Sequence, residues 1–136
     1  MQKLVPGDYF MITFTLPAEL RPLARANGRV MYELLMRSAW DTVRTFSEND
    51  KALQGVPGAV AVLHTHSRPL DFHPHAHLVM PAAAIGDKRK LWRTKKAKYL
   101  FNHKALAKVF RAKILEGIKQ AGLSLPERHP EKWVVD

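Results

Sequence analysis

No cysteine occurs in the 136 residues, which excludes a disulfide framework, a cysteine-built zinc finger and thiol catalysis. Long apolar runs are missing too. None approaches the roughly 20 residues a membrane span requires, and the opening Met1-Gln2-Lys3-Leu4-Val5-Pro6 has no signal-peptide core. A cytoplasmic protein without membrane contact is the expectation. Acidic residues are scarce: 12 Asp and Glu stand against 22 Lys and Arg, a net charge of +10. An excess of that sign favours a polyanionic partner, nucleic acid first. Tyrosine is represented only by Tyr9, Tyr32 and Tyr99. No repeat or low-complexity segment divides the chain, and its length suits one domain with one core.

The segments that are present alternate between the two periodicities. In Tyr9 to Leu16, residues Phe10, Ile12, Phe14 and Leu16 fall on one face, with Met11, Thr13 and Thr15 on the other; this predicts a half-buried strand stopped by Pro17. Ala18 to Ala26, punctuated by Pro22, reads as a turn or broken helix. From Asn27, a plausible N-cap, the residues Met31, Leu35, Ala39, Val43 and Phe46 recur at helical intervals. Gly55 to Gly58 ends that region, Ala59 to Thr65 predicts a second strand, 67–74 a loop, and His75 to Met80 a third strand closed by Pro81. Ala82 to Lys98 has no clean period. Leu106, Phe110, Ile114 and Ile118 predict a second helix capped by Asn102 and ended by Gly122. Trp133-Val134-Val135 begins a strand that Asp136 cuts short. The order fits an α+β domain, a ferredoxin-like or RRM-like antiparallel sheet with two helices on one face and an incomplete last strand.

Five of the seven histidines lie between residues 64 and 77: His64, His66, His73, His75 and His77. Alternation puts His64 and His66 on one face of their strand, and His75 and His77 on one face of theirs. An antiparallel register pairing His64 with His77 and His66 with His75 gathers four imidazoles on two rungs, with Cβ atoms about 4.5–5.5 Å apart across each rung. Two or three imidazoles with open positions make a catalytic type of metal site. The geometry leaves His64 and His66 equal as third ligand, and His73, just before Pro74, is as good a hydrogen-bonding anchor as a ligand.

His75-Ala76-His77 followed by Leu78-Val79-Met80 resembles the histidine–hydrophobe–histidine (HUH) motif of single-strand DNA endonucleases. Phe14-Thr15-Leu16-Pro17, Val62-Leu63-His64-Thr65-His66-Ser67-Arg68, His73-Pro74-His75-Ala76-His77 and Phe110-Arg111-Ala112-Lys113 resemble, in order, the two-tyrosine transposases of rolling-circle insertion sequences. The resemblance implies an HUH endonuclease fold. It also implies a divalent cation, Mg or Mn, held by His75 and His77, with His64 as the favoured third ligand because His66 falls where relatives carry an aromatic residue. In such enzymes the ion polarises a DNA phosphate that a tyrosine attacks. The expected tyrosine pair, one helical turn apart and downstream of the histidines, has no counterpart here; Tyr99 alone follows them. The zinc module often found at the N-terminus of relatives is absent as well. Residues 1–136 therefore read as one central portion of a longer transposase.

Lys88-Arg89-Lys90-Leu91-Trp92-Arg93-Thr94-Lys95-Lys96-Ala97-Lys98-Tyr99 holds seven basic residues and no acid. Cations interleaved with aromatics suit single-stranded DNA, pairing phosphates while bases stack. The expected contacts are Lys88, Arg89, Lys90, Trp92, Arg93, Lys95, Lys96 and Lys98. Lys104, Lys108 and Arg111 share one helix face and extend the basic surface. An RRM-like nucleic-acid module without metal is the alternative; it would carry exposed aromatics on its central strands, where this chain offers Thr13, Thr15 and histidines. A water-using hydrolase would need a carboxylate base, for which only Asp71 is near.

Overall fold

A computed structural model of the chain describes residues 8–66, 71–86, 92–96, 100–127, 130 and 132–136. Strand β1 (Tyr9–Thr15) leads through a 3-10 turn (Ala18–Leu20) into the short helix α1 (Arg21–Ala26), with Pro22 in its first turn, and then into α2 (Gly28–Asn49). There follow β2 (Val56–Pro57), β3 (Val60–His66), β4 (Phe72–Pro81), β5 (Ala83–Ile85), β6 (Trp92–Thr94) and α3 (His103–Gln120). The main sheet is antiparallel in the order β1-β4-β3. The chain end extends it beyond β1: Val135 bridges Phe14, and Thr13 and Asp136 exchange backbone hydrogen bonds of 2.8 and 3.0 Å. This is the strand stub anticipated from Trp133-Val134-Val135.

Alternation decides what each face of that sheet does. Ile12 and Phe14 of β1 and Ala76, Leu78 and Met80 of β4 point into the core. There they meet Met31, Leu35, Ala39 and Val43 of α2 and Leu106, Phe110, Ile114 and Ile118 of α3, the two helical stripes read from the sequence. Phe14 and Phe110 pack ring to ring, centroids 5.0 Å apart. Both long helices therefore cover one face. The opposite face carries Met11, Thr13 and Thr15, then His75, His77 and Val79, then Val60, Val62 and His64. Asn102 caps α3 as expected, its side chain accepting from the Ala105 amide at 3.0 Å. Gly122, at φ +73°, lets the chain leave the helix in the left-handed conformation. Asn27 stands at the N-cap of α2, but its side-chain amide donates backward to the Leu23 carbonyl and so joins α2 to the end of α1.

The region without period, residues 82–98, contributes a second small antiparallel sheet, β2-β5-β6. Ala82, Ala83 and Ala84 are all fully buried, so no polar face exists to alternate with the apolar one. Gly55 accommodates the close approach of this sheet: a Cβ there would run into the Ile85 carbonyl. Lys95 ties the segment down, its Nζ lying 2.6 Å from Asp50 Oδ2 and donating to the Leu100 carbonyl at 2.8 Å. Burial alone would raise the Asp50 pKa. The hydrogen bond from Lys95, those from the Ala52 and Leu53 amides, and the ammonium charge outweigh it and hold the carboxyl below its ordinary 3.8. A carboxylate whose folded pKa is depressed stabilises fully above its unfolded pKa and loses that contribution as pH falls through the folded value. Asp50→Asn is expected to lower stability by about 2 kcal/mol at neutral pH. In pH-dependent thermal unfolding the gap between variant and parent closes below 3.8.

Candidate metal centre

The β3–β4 hairpin sets the histidine geometry, and its register differs from the expected one by two residues. His64 pairs with His75 and Val62 with His77, rather than His64 with His77 and His66 with His75. The difference originates at Pro74. Strand β4 does not begin at His75 but reaches back to Phe72, passing through a proline that has no N–H to give the ladder. A bulge between His64 and His66 accommodates it, as prolines within sheets require. The bulge brings His66 opposite Phe72, a core-facing residue, and its ring packs on Phe72 at 5.7 Å. His66 thereby leaves the cluster, and the histidine of β3 that lies with His75 and His77 is His64.

Three imidazoles remain together. One ring nitrogen from each of His64, His75 and His77 lies within 4.8 Å of the other two. His64 and His75 stack across their rung, centroids 5.1 Å apart, and His77 stands edge-on to both at 4.8 Å. His75 and His77 are half-buried and His64 exposed, so the cluster opens to solvent. Burial lowers the pKa of His77, and the neighbouring His75 and His64 lower it further; the neutral ring, which can donate a lone pair, is favoured.

Hydrogen bonds choose which nitrogen is presented. His75 Nδ1 lies 2.7 Å from the His73 carbonyl oxygen. A carbonyl only accepts, so the proton sits on Nδ1 and Nε2 keeps the lone pair. His77 Nδ1 lies 2.8 Å from the Thr13 hydroxyl on β1, its neighbour across the sheet. A hydroxyl accepts as well as donates, so this contact admits the Nδ1–H tautomer in which Nε2 of His77 also carries the lone pair. Outer partners of this kind are what metal-ligating histidines ordinarily have. His73 shares the open face but is differently engaged: Arg21 of α1 donates from Nη2 to its Nδ1 at 2.8 Å. Its pKa is lowered, by burial first and then by Arg21 and His75, against a smaller opposing effect of Asp71. The His73 ring thus anchors this segment as an acceptor. Among the described residues the cluster includes no carboxylate. Thr13 and Arg21 escaped the sequence reading; Thr13 was legible as an open-face residue of β1, whereas nothing near Arg21 in sequence signals its role.

The other expected site residues are dispersed. Lys88, Arg89, Lys90, Lys98 and Tyr99 lie outside the described residues, and Trp92 is placed on β6 by its backbone. Arg93 donates to Gln54 at 2.9 Å on the surface, Lys96 is exposed, and Lys95 is drawn inward by Asp50. The Lys95 amide bonds to Ala82, five residues beyond His77 and so about 16 Å along the strand. The described part of the basic stretch therefore flanks the far end of β4 and does not surround the histidines. Lys104, Lys108 and Arg111 line a groove of about 420 Å³ with Trp133 and the chain end. Tyr9 lies on the histidine face, but four residues along β1 from Thr13, about 13 Å; Tyr32 packs against the core on α2.

A family model described as "Putative transposase" (Y2_Tnp) matches residues 58–132, the span that holds β3, β4, the basic stretch and α3. The chain belongs to this transposase family. Its relatives include "Putative transposase y4qJ" of Sinorhizobium fredii (strain NBRC 101917 / NGR234), 32% identical over 119 residues that make up 88% of this chain and 30% of that protein. Another is "Transposase for insertion sequence element IS801" of Pseudomonas savastanoi pv. phaseolicola, 35% identical over 82 residues, 60% of this chain and 19% of that one. The chain spans less than a third of the length of these transposases. Among solved structures it is similar to the conjugative relaxase TrwC. The metal-bound complex with oriT DNA matches with TM-score 0.65 at 19% identity over 90% of this chain and 47% of that one; the metal-free complex matches with 0.63 at 16%, over 91% and 47%. At that identity the likeness establishes the fold, the HUH fold that the His75-Ala76-His77 motif implied. Among the described residues no helix of this transposase portion is long and apolar enough to cross a membrane.

Proposed function

We propose that residues 1–136 form the metal-binding and DNA-binding portion of a transposase that nicks and transfers single-stranded DNA. The convergence of His64, His75 and His77, with the Nδ1 atoms of the latter two tied back to His73 and Thr13, is the observation that carries this reading. Three imidazoles leaving open positions suit a divalent cation, Mg or Mn in this reading. When bound, the cation polarises a DNA phosphate toward attack. His75 and His77 hold it from β4 and His64 from β3. The rigid sheet beneath fixes their spacing, and Thr13 and the His73 carbonyl fix their ring orientation. Tyr9 and Tyr32 stand away from the cluster, so the attacking group belongs outside the described residues. Arg93 and Lys96, with Lys88, Arg89, Lys90, Trp92 and Lys98, supply phosphate contacts and stacking; Lys95 serves the fold instead.

Salt-dependent anisotropy with a labelled single-stranded oligonucleotide tests the DNA half of the proposal. Each lost phosphate contact reduces the slope of log affinity against log salt by about 0.7 for a single strand. Replacing both Arg93 and Lys96 by alanine is expected to reduce it by about 1.4, and Lys95→Met to leave it unchanged in the folded protein. Absence of single-strand binding, or a slope indifferent to Arg93 and Lys96, contradicts the assignment.

A further inference from the structure

We propose that Arg21 is a positioning residue of the histidine centre, acting through His73 on the ring of His75; this rests on the metal-binding reading above. A guanidinium only donates, so the 2.8 Å contact from Arg21 Nη2 makes His73 Nδ1 an acceptor. The ring of His73 is thereby committed to Arg21 and stands outside the three-histidine cluster, although its centroid is only 5.3 Å from that of His75. What His73 contributes to the centre is its main-chain carbonyl, which receives the Nδ1–H of His75 at 2.7 Å.

The sheet holds residue 73 less firmly than the residues after it. The last pair with β1 is Thr15 with His75 and the last backbone bond on that side runs from the Leu16 amide to the Pro74 carbonyl at 3.0 Å, while the ladder with β3 is interrupted by the bulge between His64 and His66. A side-chain tie from α1 supplies what the ladder omits. Arg21 Nε is shut off from solvent with no partner among the described residues, a cost an aliphatic side chain in the same place would avoid. What the guanidinium supplies here is the Nη2 bond to His73. Nearby, Arg25 lies over the Phe72 ring at 4.2 Å, so α1 grips the start of β4 at two successive residues.

The test combines ring-nitrogen NMR of His75 in the metal-free protein with Mn²⁺ titration. The variants are Arg21→Met, His73→Leu, His73→Asn and the Arg21→Met/His73→Leu pair. The metal-free parent shows His75 protonated at Nδ1. Arg21→Met and His73→Leu each mix the two tautomers and weaken Mn²⁺ binding about tenfold, and the pair is no worse than either alone. His73→Asn, whose side-chain oxygen can stand where Nδ1 stood, retains both properties, which neither a ligand role for His73 nor a general loss of packing would allow. Parent-like tautomer and affinity in Arg21→Met, or His73→Asn as impaired as His73→Leu, overturns the proposal. If Arg21→Met does not fold, the contrast between His73→Asn and His73→Leu decides. The two readings separate: a parent that binds no Mn²⁺ but shows the Arg21-dependent tautomer keeps the positioning role and loses the metal. A parent that binds Mn²⁺ through His64, His75 and His77 with a tautomer indifferent to Arg21 keeps the metal and loses the positioning role.

Discussion

Alanine at His75 or His77 is expected to abolish Mn²⁺ binding in calorimetric titration, with the melting temperature of the metal-free protein little changed. Loss of an outer partner costs a metal site about 10–100-fold in affinity; loss of one of three ligands on a rigid sheet must exceed that. Both side chains lie on the solvent face of β4, while Ala76 and Leu78 between and beyond them carry the packing. Truncating the imidazoles therefore opens no cavity in the core. His64→Ala removes the exposed member and leaves both half-buried imidazoles of β4, so it loses less than His75→Ala or His77→Ala. His66→Ala binds as the parent does, because the bulge has turned that ring onto Phe72. Equal losses in His64→Ala and His66→Ala would show that the observed register is wrong.

Phe110→Ala is expected to destabilise the domain by about 4 kcal/mol. Phe110 is fully buried, packs on Phe14 of β1 at 5.0 Å and on Trp133 at 5.9 Å. Its removal leaves a cavity between α3 and the sheet that two rigid strands cannot close. For a domain of this size that loss lowers the melting temperature by about 12–16 °C. Below the new transition the folded fraction still binds Mn²⁺ with parental affinity, since Phe110 touches none of the three histidines. Thermal melts followed by circular dichroism, together with Mn²⁺ titration at low temperature, check both halves. A drop in affinity without a drop in stability would mean that α3 reaches the site by a route the packing does not show.

The architecture was legible because its elements are amphipathic. Phe10 to Leu16 alternates strictly, and Met31 to Val43 and Leu106 to Ile118 step by four, so each announces the face it buries. The β2-β5-β6 sheet gave no such signal, because Ala82, Ala83 and Ala84 are buried regardless of face. The histidine face was legible from His-x-His spacing and its partner strand from composition, but not their register. The spacing begins the third strand at His75 and leaves Pro74 in the loop, whereas the strand runs from Phe72 through Pro74 and the rungs from Val60 to His64 lie two residues from the expected register. The outer partners divide in the same way. Thr13 is one residue from Phe14 and on the visible open face, whereas Arg21 meets His73 only because α1 folds back over the start of β4, a contact across 52 residues. Lys95 was indistinguishable from its basic neighbours in sequence; only the position of Asp50, 45 residues away, separates it.

Pulsed electron paramagnetic resonance on the Mn²⁺-loaded protein, with ¹⁵N-labelled histidine, counts the imidazole nitrogens bound to the ion. Three coupled nitrogens are expected, falling to two in His64→Ala and staying at three in His66→Ala and His73→Asn. A spectrum with no directly bound histidine nitrogen, or with a nitrogen lost in His66→Ala, would contradict a centre built from His64, His75 and His77.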